Sequence, residues 1–274
     1  MKMASVGMVE QELVGLMEGI AISGGSMPSF PIILSQNGET LHNHTHHQIL
    51  TDGRLLVIDA GAETNSHYAS DFTRTIPAGG KFTQKQRDIY SIVSAANDLA
   101  ISLIKPGITY KSVHLAAVRL MAQGLINLGL MKGDADEAVA AGAVGLFMPH
   151  GLGHQMGLDV HDMEDLGENY VGYDSEHIRA TQFGIKSLRM GKLLRPGHVI
   201  TVEPGCYFIP ALIEKWKKEG TNASFINFDK LKDYYTFGGI RIEDDSLVTE
   251  KGNRLLGSKR LPNTPETVEA EMAK

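Results

Sequence analysis

Apolar positions along the chain alternate between helical spacing and short strand-like runs. Residues 8–22 read MVEQELVGLMEGIAI, with Leu13, Leu16, Met17 and Ile20 at helical spacing, which predicts an amphipathic helix ended by Gly24, Gly25 and Pro28. Residues 30–34 read as a strand, and 54–61 and 72–76 as a hairpin around a polar loop at 63–70. Thr83 with Gln86 forms a capping box, predicting a long helix to about Ile104, where Pro106 and Gly107 stop it. A second helix is expected from about Tyr110 to Ile126, with Val113, Ala116, Ala117, Leu120 and Met121 inward, and an alanine-rich third over 134–143. Residues 174–189 read as irregular and then strand-like. After the turn at Arg195, Pro196 and Gly197 come a strand over 198–203, a surface helix and loop over 214–224, and a strand at Leu247 and Val248. The polar tail from Asn263 has a composition that suits disorder.

With 274 residues, 42% hydrophobic and 21% charged, the chain can bury one large domain or two pseudo-repeated halves. A net charge of −6 without a basic cluster argues against a nucleic-acid partner. The single cysteine, Cys206, excludes an internal disulfide and fits a reducing compartment; after the EPG turn it reads as a small buried residue, not a nucleophile. No apolar run approaches the ~18 residues of a membrane span, and the start lacks a hydrophobic signal segment. These features predict a cytoplasmic protein with no membrane partner.

Candidate chemistry concentrates in residues 147–162, FMPHGLGHQMGLDVHD. His150, His154 and His161 lie close together there, while Gly151, Gly153 and Gly157 interrupt any helix, since glycine costs about 1 kcal/mol relative to alanine inside one. The spacing from His150 to His154 invites the zinc-peptidase pattern HExxH. Its second position is Gly151 instead of glutamate, and the helix it requires is broken, so that reading fails. A lone histidine here would read as a polar loop residue; three beside Leu146, Phe147, Met148, Leu152, Met156 and Leu158 need partners.

Four acids sit in or at the ends of apolar runs: Asp59 in LLVIDAG, Asp71 in HYASDFTRTI, Glu203 in VITVEPG and Glu243 in FGGIRIEDD. Each alone reads at least as well as a solvated strand-end acid. Together with the histidines they point to a metal site. Two Asp, two Glu and one His suit manganese, cobalt or iron better than a structural zinc. Four carboxylates also exceed the charge of one divalent ion, so two metals bridged by shared carboxylates is the natural reading.

In this order and context (IDAGAE, SDFTRTIP, HGLGH, TVEPG, GGIRIEDD), Asp59, Asp71, His154, Glu203 and Glu243 resemble the pita-bread metallopeptidases, specifically the proline-directed branch of prolidase and aminopeptidase P. The likeness runs from about Met8 to about Pro262, and YFIPALIEKWKKEG is more similar to prolidase than to the methionine aminopeptidases. It implies an α+β pita-bread fold whose two similar halves share a curved antiparallel sheet flanked by helices. Residues 1–262 are then the catalytic domain and 263–274 the polar tail, without the family's N-terminal domain and first helix.

The resemblance further implies two divalent ions, Mn2+ ahead of Co2+, Fe2+ or Zn2+. Asp59 would hold one ion, His154 and Glu203 the other, with Asp71 and Glu243 bridging. A hydroxide between the metals would hydrolyse the Xaa-Pro bond at the N-terminus of a dipeptide or short peptide. Glu203 would pass the proton to the leaving nitrogen, and His150 and His161 would donate to the carbonyl and the oxyanion. His42 would stand near the substrate, whereas His44, His46 and His47 read as a polar loop. Arg241 is expected to pair with a carboxylate of the metal shell, and Arg189 resembles the prolidase arginine that grips the C-terminal carboxylate of an Xaa-Pro dipeptide. A homodimer is implied as well. Asp59 and Asp71 stand one residue further apart than is usual in the family, and the extra residue is expected in the loop near 65–67, with His67 exposed. A metal-free hydrolase like the creatinases and a non-catalytic binding protein are the alternatives; retention of every acid argues against both.

Overall fold

The computed structural model describes all 274 residues. Helix α1 (Glu10–Ser23) opens where Glu12 accepts the Val9 N–H at 2.8 Å. Its apolar stripe is only partly covered: Leu13 and Val14 are buried, but Ile20 is 66% exposed and, with Leu16 and Met17, lines an open groove facing Ile58 and Phe72. Strands β1 (Ile33–Ser35), β2 (Leu55–Ala60) and β3 (Phe72–Pro77) form one antiparallel sheet in that order. The first begins later than 30–34 suggests, because Pro31 has no N–H to give a ladder.

Helix α2 (Gln84–Leu103) has the expected Thr83 capping box and buries Ile89, Tyr90, Val93, Ala96 and Ala100. It packs on α3 (Tyr110–Asn127), which buries Val113, Ala117 and Met121 while Ala116 and Leu120 are half covered. Helix α4 (Ala135–Ala140) is short and capped by the Asp134 carboxylate, which accepts from Asp136 and Glu137 N–H. No helix is long and apolar enough to cross a membrane.

Residues 155–189 contain only the short helix α5 (Glu168–Val171) and single turns. The strand expected before Arg189 is instead a 3-10 turn, Ile185–Ser187, entered through Gly184 at φ 87°. A strand there would need a partner, and this segment is held by side chains and by the close seat of Gly172 on Arg189. Then follow β4 (Val199–Val202), β5 (Gly205–Tyr207), α6 (Pro210–Glu219), α7 (Phe228–Leu231), β6 (Gly239–Arg241), β7 (Asp244–Val248) and β8 (Asn253–Leu255). These strands form two antiparallel sheets, β4-β7-β8 and β5-β6. Cys206 is fully buried in β5, and burial pushes its thiol up. The polar tail is ordered: α8 (Pro265–Met272) buries Val268 and Glu269, and Glu269 accepts the Phe82 N–H at 3.0 Å.

Candidate metal centre

Register places the acids. In the β2–β3 ladder Asp59 stands opposite Thr73, so Asp59, Thr73 and Asp71 project from one face. Between the two aspartates the chain makes a tight turn, in which the His67 N–H bonds the Thr64 carbonyl at 2.8 Å with His67 at φ 65° and exposed. The HGLGH segment lies along β4: Thr201 N–H donates to the His154 carbonyl at 3.0 Å, and Glu203 N–H to that of Leu152 at 2.8 Å. That approach needs Gly153, where a Cβ would stand 2.1 Å from the Thr201 carbonyl oxygen. Glu243 is seated against β3 by its N–H on the Thr73 carbonyl at 3.0 Å. Behind both glutamates, Asn97 of α2 donates to the Val202 carbonyl at 2.8 Å, and buried Arg74 donates to that of Glu243 at 2.6 Å.

One cavity of about 560 Å³ is lined by Asp59, Asp71, His154, Glu203 and Glu243, and equally by His42, His150, His161, Arg189 and Arg241. Ligand atoms of Asp71, His154 and Glu243 lie within 4.8 Å of one another. His154 Nε2 is 3.4 Å from Asp71 Oδ2 and 3.9 Å from Glu203 Oε1. Its Nδ1 faces the Gln155 carbonyl at 2.9 Å, which puts the ring proton on Nδ1 and turns the Nε2 lone pair toward the acids. Thr73 Oγ1 donates to Glu243 Oε2 at 2.6 Å, and Arg241 Nη2 to Asp59 Oδ2 at 2.6 Å.

These partners do not satisfy the carboxylates. Asp59 Oδ1 and Asp71 Oδ1 are buried without a hydrogen bond. Burial, with Asp59, Glu203 and Asp245 close by, holds the Asp71 carboxyl well above the usual range. Burial, with Asp71, Glu203 and Asp59, does the same to Glu243; burial also raises Glu203, against the pull of His154 and Arg241. An uncompensated carboxylate in an apolar setting is costly, and a divalent cation is the group that relieves mutual repulsion while filling empty lone pairs. Four carboxylates and one aimed imidazole fit such a cation.

His150 differs from the expected role. Nδ1 contacts the Gly151 carbonyl at 2.7 Å and Nε2 the Tyr207 hydroxyl at 3.0 Å, so both ring nitrogens are engaged and neither is a free donor to substrate. Burial, with Arg241 nearby, pushes it down to about 3, so the ring is neutral. In the same chain of contacts Arg241 Nη1 donates to Tyr207 Oη at 2.9 Å; His150 thus steadies the arginine that holds Asp59. His161 does face the cavity, its ring 4.3 Å from that of His154 and pushed down to about 3 chiefly by burial. Among the other histidines, His44 also lines the cavity, and His46 is buried with Nδ1 2.9 Å from the Leu34 carbonyl; neither is a plain loop residue.

Thr73, Tyr207 and Asp245 are the side chains that sequence reasoning missed. Asp245 accepts the Asp71 N–H at 3.1 Å, and burial pushes its carboxyl up to about 7. The signal for Thr73 was its place two residues after Asp71 in a strand; for Asp245, a third acid inside the buried run IEDDSLV.

Comparison with known proteins agrees with this geometry. A family model described as metallopeptidase family M24 matches residues 1–250. The Xaa-Pro dipeptidase of Homo sapiens is 37% identical across 100% of this chain and 55% of its own length. A probable Xaa-Pro aminopeptidase of Metarhizium robertsii is 37% identical across 89% of this chain and 52% of its own. Among solved structures, an alanine variant of Escherichia coli aminopeptidase P superposes with a TM-score of 0.79 at 36% identity, covering 99% of this chain and 54% of that one. The chain therefore has the pita-bread fold of aminopeptidase P, and it spans about half the length of the relatives it matches.

Proposed function

The chain belongs to metallopeptidase family M24, and on that premise we propose that its cavity binds two divalent cations and cleaves the Xaa-Pro bond at the N-terminus of dipeptides or short peptides. The observation that carries this is the convergence of four acids and His154 Nε2 on one cavity, with buried carboxylate oxygens that nothing in the chain satisfies. Asp59 would hold one cation, His154 and Glu203 the second, and Asp71 and Glu243 both. The oxygen-rich donor set favours Mn2+, with Co2+ or Fe2+ as substitutes. Such a pair, when bound, supplies polarisation of the scissile carbonyl and acidification of a water.

The chain's own groups do the rest. Glu203, on the cavity lining 3.9 Å from His154 Nε2, is placed to take a proton and deliver it to the departing proline nitrogen. His161, on the cavity lining, would donate to the scissile carbonyl and the developing oxyanion, while His150 acts through Tyr207 and Arg241 to keep Asp59 in place. Arg189, on the cavity wall, receives the C-terminal carboxylate of an Xaa-Pro dipeptide, a group its planar fork matches. His42 lies on the same lining near the substrate. A single buried cysteine fits work in the reducing cytoplasm.

Cleavage of Ala-Pro, Ala-Pro-Ala and Ala-Ala by the metal-loaded chain tests this. Turnover of the proline peptides and not Ala-Ala is expected, with Arg189→Ala losing more on Ala-Pro than on Ala-Pro-Ala. Equal cleavage of Ala-Ala, or of none, overturns the assignment; equal losses on the two proline peptides overturn the role of Arg189.

A further inference from the structure

Arg189 lines the cavity, but part of its guanidinium is already committed. Nη1 donates to Glu164 Oε2 and, at 2.9 Å, to Glu168 Oε1. Glu168 is shared with Arg179 Nη1 at 2.5 Å, so two glutamates balance two arginines. A guanidinium carries five N–H donors in one plane. With both hydrogens of Nη1 spent, Nε–H and Nη2 remain on the opposite edge and bond to nothing else in the chain. That edge has the spacing of a carboxylate.

The backbone is held as firmly as the side chain. A Cβ on Gly172 would stand 1.7 Å from the Arg189 carbonyl oxygen, so the strand of chain after α5 is seated directly on it. Glu164 side-chain exposure is 13%, and its Oε2 is also 3.5 Å from His161 Nδ1. One carboxylate therefore touches both the arginine and an imidazole of the cavity. Without it, the Arg189 side chain would lose one of the two glutamates that fix the direction of its guanidinium.

We propose that Glu164, backed by Glu168, is a positioning residue that aims the free edge of Arg189 into the cavity and so sets the preference for a peptide ending at proline over one that continues. This rests on Arg189 receiving the substrate carboxylate, as proposed above. Glu164 is outside the cavity lining and acts only through Arg189 and His161.

The test is calorimetric binding of a non-cleavable Ala-Pro analogue with a reduced peptide bond, as the free acid and as the C-terminal amide, to the manganese-loaded chain. The wild type is expected to favour the acid. Glu164→Gln lowers the acid-to-amide ratio roughly tenfold, the scale of one hydrogen bond to a charged group. Glu164→Asp restores much of it, and in an Arg189→Ala background Glu164→Gln changes nothing further. A Glu164→Gln chain that keeps the full ratio overturns the proposal while leaving Arg189 in its role. Wild type that binds acid and amide equally overturns the Arg189 reading and this proposal with it, and failure to bind either overturns the proposed function. Where Glu164→Gln does not fold, Glu168→Gln is expected to lower the ratio to a smaller extent, and an unchanged ratio there counts against the clamp.

Discussion

Asp71 shows how burial and crowding by other acids act on a single carboxylate of this site. It is buried beside Asp59, Glu203 and Asp245, with one oxygen unpartnered, and its folded carboxyl is held well above the usual range. A folded-state value raised above the unfolded one means the unionised form is favoured in the fold. Stability from that form is present below the unfolded value and lost as pH rises toward neutrality. In metal-free protein at pH 7, Asp71→Asn is therefore expected to melt at least about 2 °C above wild type, the scale of 1 kcal/mol in a chain this size. Added Mn2+ should reverse the order, raising the wild type and leaving the variant nearly unmoved. Equal metal-induced shifts in thermal melts would remove Asp71 from the cation site.

His114 makes a separate prediction, away from the acids. It is fully buried on α3 with Nδ1 unpartnered, and burial pushes it down to about 4 from 6.5. Here the unfolded chain takes up the proton first, so stability is intact above 6.5 and falls as pH drops toward 4. Denaturant melts of the metal-loaded chain should show His114→Met gaining on wild type by up to about 3 kcal/mol across that window. A constant difference between the two proteins would show that this ring does not titrate.

At the scale of elements, the close pairing of the HGLGH segment with β4 is what turns His154 and Glu203 toward each other. Gly153 permits it, and Gly153→Ala must push Thr201 away. A loss of about 2 kcal/mol or more is expected, as for overpacking in a tight interior, together with loss of the Mn2+-induced melting shift. A variant with wild-type stability and metal response would show that the segment has slack. Elements with a period were legible from sequence: the Thr83 capping box, both long helices, the β2–β3 hairpin and β4. Residues 155–189 were not, because ion pairs among Glu164, Glu168, Arg179 and Arg189 and the seat of Gly172 hold them, and neither leaves a periodic trace. The tail was misjudged for a related reason. PETVEAEM is polar overall, yet Val268 packs inward and Glu269 finds Phe82 N–H, Lys81 and Arg87.

For the whole molecule, the proposed function depends on three separate sheets delivering side chains to one cavity: Asp59 and Asp71 from the first, Glu203 beside β4, and Glu243 between β6 and β7. The acids drew notice as a set, because four of them in or beside apolar runs, together with a histidine cluster, are more than solvated strand ends explain. Their supports did not, since Thr73, Tyr207 and Asp245 are ordinary residues until the fold brings their polar tips to Glu243, Arg241 and the Asp71 backbone. The relatives named Xaa-Pro dipeptidase and aminopeptidase P, matched over about half their length, are the ground on which Xaa-Pro cleavage is proposed for this cavity. Cleavage of Ala-Pro-Ala by chelator-treated chain, followed as Mn2+ is added and bound metal per chain is counted, tests that proposal most directly. Turnover should be absent in chelator, rise as up to two ions bind, and stay absent in Glu203→Gln. Turnover that survives chelation, or that Glu203→Gln retains in full, would contradict a metallopeptidase centre built on these residues.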